Sequence, residues 1–295
     1  MVWALAACLL LQTAEAPRTP YETGLALYNR HDFPRAIPPL LEAAAAEKAG
    51  SPRYTEIALL LGQSYFLAGR TAEAIPWLEK AAAAGVRSVE TNYMLGTALA
   101  QNELPDRARL AFARMFGVPA GSAAAYLLNG QMLVRLDREE LAAKDLRRAL
   151  EIDPRIPEAH YLLGVIATYR ADIDKAIAEL TREIELNPNF AMAYYKLGDA
   201  YTRREAWDEA IPLLQKSVWL NPNYSGPYIL LGKSYFKKGE LQNAEGMLRR
   251  AIAMDPQNYS AHYLLGQTLV AAGKGEEGRA LLQKSQQLRK TKDEM

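Results

Sequence analysis

The sequence predicts an all-α protein: an α-solenoid of about eight 34-residue helix-turn-helix copies, with no strand required anywhere. Three observations predict it. The hexapeptide AHYLLG is spelled twice, at 159–164 and 261–266, 102 residues apart, which is three steps of 34. Glycines fill that step without insertion or deletion: Gly62, Gly96, Gly130, Gly164, Gly198, Gly232 and Gly266. Other positions keep the same register, and a fixed period of this length is the mark of a repeat array.

Twelve residues after each glycine stands a small residue: Ala74, Ala108, Ala142, Ala176, Ala210, Ala244 and Gly278. Sixteen after come Leu78, Phe112, Leu146, Leu180, Leu214, Leu248 and Leu282, and twenty-four after, in the middle of the array, come Pro154, Pro188, Pro222 and Pro256. An earlier copy begins at Gly24, with Ala36 and Leu40 in step. Gly62 follows Gly24 by 38 residues, and the stretch AAAAEKAGSP absorbs the extra four as a loop.

Each copy reads as two helices. Around the glycine, apolar residues recur at helical spacing, as in Tyr194, Leu197 and Tyr201. A break follows, marked in three copies by Gly69, Gly239 or Gly273, where a helix ends on a left-handed residue. The second helix then runs over a stretch such as 208–220 and is closed by Asn221 and Pro222. Pro38, Pro76 and Pro212 are expected near the start of second helices, where a missing backbone donor costs least. A glycine on the first helix and an alanine on the second allow close approach, with leucine and aromatic side chains filling the space beside them. One pair cannot bury its apolar face alone, so neighbouring pairs complete the core.

The 34-residue pattern of aromatic, Leu-Gly, Tyr, Ala, Leu and Pro resembles the tetratricopeptide repeat, over about residues 18–290. Three positions depart from it: Asn129 for a leucine, Gly278 for an alanine and Ala120 for a proline. The resemblance implies a right-handed superhelix whose first helices line a concave groove that binds peptides or proteins.

Composition excludes several function classes. The 295 residues carry a formal net charge of +1, so no electrostatic footprint for nucleic acid is present. A single cysteine, Cys8, excludes an intrachain disulfide framework and a cysteine-based zinc site. No metal-ligand spacing, phosphate-cradling glycine loop or Ser-His-Asp arrangement is seen, and no cofactor is expected. The histidines are His31, His160 and His262, the last two in a slot that Tyr194 and Tyr228 fill in other copies. They read as bulky packed residues, and the chain reads as a non-enzyme. The sequons at Asn223 and Asn258 lie in loops between copies, where Asn and Ser are ordinary turn residues.

Residues 1–16 stand apart. An unbroken apolar run over 2–11 precedes Ala14, Glu15 and Ala16, an A-x-A pattern that resembles an export signal. No Lys or Arg precedes the run, Pro17 follows the cut, and the lipoprotein-like Leu5, Ala6, Ala7, Cys8 sits too early in it. The expectation is an exported protein of the periplasm or cell envelope, with the membrane touched only through this leader. The alternative is an apolar cap on the first copy of a cytoplasmic protein. No apolar run reaches the ~18–20 residues of a membrane-spanning helix. The array is expected over 17–290 and a polar tail over 291–295.

Angular bookkeeping at about 100° per residue places a candidate site. Positions four before, one before and three after the glycine form a core stripe. Positions three before, one after and four after form a second face, centred roughly 130° away. That face carries Tyr93, Tyr161, Tyr195 and Tyr263, with Gln131, Asp199, Lys233 and Gln267 one after their glycines. Aromatic groups interleaved with hydrogen-bonding ones suit a protein or extended peptide. The competing reading packs these tyrosines between copies. Lys196, Asp199 and Lys233 come nearest to the cationic clamp by which some members of the family hold a C-terminal carboxylate, but the surrounding pattern is not matched. The expected function is a binding scaffold in envelope assembly or as an adaptor. Its rival is the substrate-selecting subunit of an enzyme or transfer complex. Partner identity and oligomeric state are not legible.

Overall fold

The computed structural model describes residues 19–293. The leader over 1–16, with Cys8, lies outside the described residues, as does Pro17. The described chain forms sixteen helices and, among the described residues, no strand. No helix among them is long and apolar enough to cross a membrane.

The chain divides into two compact units, the first ending at Gly121 and the second beginning at Ser122. The division falls in the loop where Ala120 replaces the repeat's proline. The first unit holds α1 (Pro20–Asn29), α2 (Phe33–Ala46), α3 (Pro52–Leu67), α4 (Thr71–Ala83), α5 (Val89–Gln101) and α6 (Pro105–Phe116). The second holds α7 (Ala123–Arg135), α8 (Glu139–Ile152), α9 (Ala159–Tyr169), α10 (Ile173–Leu186), α11 (Ala191–Arg203), α12 (Trp207–Leu220), α13 (Ser225–Lys237), α14 (Leu241–Met254), α15 (Tyr259–Ala271) and α16 (Gly275–Asp293). Odd helices are the first and even helices the second of each pair. The four additional residues of copy 1 lie at the end of α2 and in the loop before α3, and α16 runs on into the segment read as a tail.

Each pair closes on its glycine. A methyl group built on any of the eight would lie 2.4–2.8 Å from the side chain sixteen residues on, Leu40 for Gly24 and Phe112 for Gly96. That large residue is wholly buried in most pairs, as are the alanines twelve after the glycine. Gly278 now has a reason. A methyl there would stand 2.8 Å from the carbonyl oxygen of Gly266 and 2.7 Å from Val270, so α15 and α16 approach too closely for alanine. Asn129, the other departure, is fully buried, and its Nδ2 donates to Asp145 Oδ2 at 2.5 Å across the α7–α8 pair.

The turn within each pair is more uniform than the glycines suggest. Seven residues after every repeat glycine the backbone is left-handed, at Gly69, Gly239 and Gly273 but also at His31, Glu103, Asp137, Ala171 and Glu205. Local propensity disfavours Glu103, Ala171 and Glu205 there, so packing of the pair imposes the turn. The prolines are likewise a correction. Pro38, Pro76 and Pro212 lie inside α2, α4 and α12, each the sixth helical residue and not in the first turn. They are tolerated because they and the residues four before, Pro34, Ala72 and Asp208, face solvent, which can hydrate the freed carbonyl.

A charged ladder on the second unit links successive copies. Arg170, at the C-cap of α9, holds Glu139 and Glu140 at the start of α8, both at 3.0 Å. Arg204 at the C-cap of α11 pairs with Asp174, and Lys238 at that of α13 with Asp208 at 2.5 Å. Each cation sits at a negative helix end and each anion at a positive one. Exposed pairs stabilise little, and their use here is register.

Two substitutions test this account by urea unfolding. Gly198→Val forces α11 away from Leu214 and costs about 1–3 kcal/mol. Ala171→Gly relieves a left-handed turn and raises stability by roughly 0.5–1 kcal/mol, net of the flexibility glycine adds to the unfolded chain. A destabilised Ala171→Gly would show that the turn is not strained.

Candidate functional site

Within the second unit the first helices α7, α9, α11, α13 and α15 touch in series, and they carry Gln131, Tyr161, Tyr195, Asp199, Lys233, Tyr263 and Gln267. Their roles differ. Tyr161 and Tyr195 are half-buried. The Tyr161 ring meets Phe190 edge-on at 4.9 Å, and that of Tyr195 meets Tyr224 at 5.3 Å. Phe190 and Tyr224 both cap the first helix of the next copy, so these two tyrosines join copies. Burial pushes the Tyr161 phenol up to about 12, and that of Tyr195 higher still.

The polar members are partly engaged. Gln131 Nε2 donates to Glu158 at 3.1 Å, and Asp199 accepts from Arg203 Nε at 3.2 Å. Gln267 Nε2 donates to the Tyr263 hydroxyl at 2.9 Å. The Lys233 ammonium lies 5.8 Å from the centre of the Trp207 ring. Tyr263 is 48% exposed, the most open aromatic of the set. Tyr93 is 42% exposed and belongs to the first unit.

Lys233 and Tyr263 come together at a cleft of about 620 Å³ whose lining also includes Tyr259, Ser285, Gln286 and Arg289. Ser285 Oγ is turned inward to the Tyr259 carbonyl at 2.8 Å. The lining has two cationic side chains and two phenols, and no carboxylate. Sequence periodicity found Lys233 and Tyr263 and missed Arg289, which α16 supplies beyond the repeated register.

A second residue missed by periodicity positions Tyr161. Glu183 is fully buried, and its carboxylate accepts from the backbone N–H of Glu158 at 3.0 Å and of Tyr161 at 3.1 Å. It therefore caps α9, which starts late behind a left-handed Glu158. The signal was present in the register: nineteen after the other glycines of the unbroken run stand Ala81, Met115, Ala149, Ser217, Ala251 and Ser285. His160 and His262 are packed. His160 Nδ1 lies 2.7 Å from Glu179, and His262 Nε2 donates to the Pro256 carbonyl at 3.0 Å.

A tetratricopeptide repeat family model matches residues 21–86, 93–157, 161–226 and 229–291, each window spanning two helix pairs. The chain belongs to the tetratricopeptide repeat family. Among solved structures, MamA residues 41–end from Desulfovibrio magneticus RS-1 is 24% identical, with 58% of this chain and 97% of that one covered and a TM-score of 0.53. YrrB, described as a TPR protein with an unusual peptide-binding site, is 22% identical, with 60% and 92% covered and a TM-score of 0.53. A chain of the Cut9–Hcn1 hetero-tetramer of the APC/C is 20% identical, with 85% and 48% covered and a TM-score of 0.51. At these identities the likeness is one of fold. No curated protein matches the sequence.

Glu183→Ala leaves two buried N–H groups unmade in this tetratricopeptide array and costs about 2–4 kcal/mol in chemical denaturation. Hydrogen exchange should quicken first in α9. Unchanged protection there would show that another group caps the helix.

Proposed function

We propose that the protein is a non-enzymatic scaffold that binds a protein or extended peptide through the first-helix face of its second unit. The observation that carries this reading is the cleft uniting Lys233, Tyr263 and Arg289. Its cationic, phenolic and carboxylate-free lining suits an extended segment presenting backbone carbonyls or acidic side chains. YrrB, with its peptide-binding site, supports the same use of this fold. Tyr161 and Tyr195 serve as the rigid floor between copies, and Tyr263 and Gln267 as the open contact. The rival reading, a substrate-selecting subunit of an enzyme or transfer complex, uses the same face and draws its catalytic groups from a partner.

To test the site, peptides selected from a displayed library against the full chain are titrated by fluorescence anisotropy. Tyr263→Ala and Lys233→Ala should each weaken binding at least tenfold, which corresponds to about 1.4 kcal/mol. Arg182→Ala, on the exposed side of α10, should leave it unchanged. Folded variants that bind as tightly as the parent would remove the cleft from the account.

Export to the cell envelope is part of the same proposal and rests on the apolar run over 2–11 with its A-x-A pattern. Mass spectrometry of protein from its native host should find an N-terminus after Ala16 and no thiol. A chain that keeps Cys8 would favour a cap or an anchor.

A further inference from the structure

A second cleft, in the first unit, has a different origin. It measures about 740 Å³ and lies between α4, α5 and α6, with Asn92, Leu95 and Leu99 on its α5 side. These three residues belong to the core stripe of α5, so the cleft is distinct from the face discussed above. What opens it is visible in the other copies. Four residues before the glycine, the later copies place a ring: Tyr126, His160, Tyr194, Tyr228 and His262. Tyr228 is buried in a cluster with Ala251 and Ala261, against which Val218 and Met247 pack. Its hydroxyl donates to the Pro222 carbonyl at 3.2 Å, as His262 does to that of Pro256.

Around copy 3 these three side chains are smaller. The ring becomes Asn92, the counterpart of Val218 is Ala82, and that of Met247 is Ala111. All three line the cleft, together with Val86, the counterpart of Pro222. Asn92 is 3% exposed, and its Nδ2 donates to the Ser88 carbonyl at 3.1 Å. Its Oδ1 is buried and accepts no hydrogen bond among the described residues. A buried acceptor left unmade in this way is costly, and a turn of the Asn92 carboxamide toward the cleft lets an entering donor relieve it. At the rim stand Arg87, Arg107 and Arg114. Arg107 pairs with Glu79 at 2.6 Å, whereas Arg87 and Arg114 form no ion pair among the described residues. The lining therefore carries three cations against one anion.

We propose that this cleft takes a tyrosine side chain from a partner protein, presented by a peptide segment with acidic residues on both sides of it. The phenol ring occupies the slot that Tyr228 fills from within its own copy. Its hydroxyl donates to Asn92 Oδ1, and the flanking carboxylates meet Arg87 and Arg114. An aromatic anchor in a pocket with a charged rim is the arrangement in which a few residues carry an interface.

The experiment uses the full chain and three fluorescein-labelled peptides, each with a central residue between pairs of Asp and Glu. The central residue is Tyr, Phe or Ala. The tyrosine peptide should bind at least tenfold tighter than the alanine one, with phenylalanine between them. The triple variant Asn92→Tyr, Ala82→Val, Ala111→Met refills the slot as copy 7 does, and should raise the unfolding midpoint while weakening the tyrosine peptide at least tenfold. Arg87→Glu with Arg114→Glu changes only exposed groups and should weaken it as much, so a misfolded triple variant leaves the proposal open to refutation. Equal binding of the tyrosine and alanine peptides, no binding to the parent chain, or unchanged affinity in the folded variants would each overturn it. So would concentration-dependent self-association of the parent that the slot-filling variant abolishes, because the occupant would then be a second copy.

Discussion

Every helix pair depends on one contact, the seat of a large side chain on a glycine of the facing helix. Eight times a leucine or phenylalanine lies where a glycine β-carbon would otherwise be, and this sets how near the two helices come. Once that distance is set, the turn between the helices has little freedom. It is left-handed at all eight positions, whatever residue stands there. Glu103, Ala171 and Glu205 adopt it against their own preference, which shows that packing of the pair outweighs local backbone energy. The same economy explains Gly278, where the closest approach removes even the alanine.

Because the pairs are alike, their differences stand out. Copies differ mainly in what stands beside the glycine–leucine seat. Where a ring four residues before the glycine meets a large partner from the second helices, as in copy 7, the wedge between pairs is filled. Where Asn92 meets Ala82 and Ala111, it is open. In the second unit, Lys233, Tyr263 and Arg289 surround a cleft of their own, with Arg289 supplied by α16. The first opening arises from a departure from the repeat, within a unit whose helix pairs keep the same glycine seat.

The periodicity of the sequence made the fold legible almost completely: helix order, the pairing of Gly198 with Leu214, and the loop that absorbs four residues in copy 1. It was less informative where tertiary packing overrides propensity. Three of the left-handed turns announce themselves as glycine and five do not. Pro38, Pro76 and Pro212 lie a turn deeper than expected, because solvent can satisfy the carbonyls they free. The angular argument placed Lys233 and Tyr263 on one surface, yet it could not separate Tyr161 and Tyr195, whose partners Phe190 and Tyr224 lie outside the helix being read. Glu183 and the Asn92 slot were missed because each shows only in a comparison across copies, and Arg289 because α16 supplies it beyond the repeated register.

The central claim is that these pairs are modules joined only to their neighbours, each closed by its own glycine seat. Native-state hydrogen exchange on Gly198→Ala tests it most directly. Protection should fall in α11 and α12 and less in α9, α10, α13 and α14, while α1 to α6 keep their parental rates. An equal loss of protection across all the helices would contradict the account, since the chain would then open as one cooperative body.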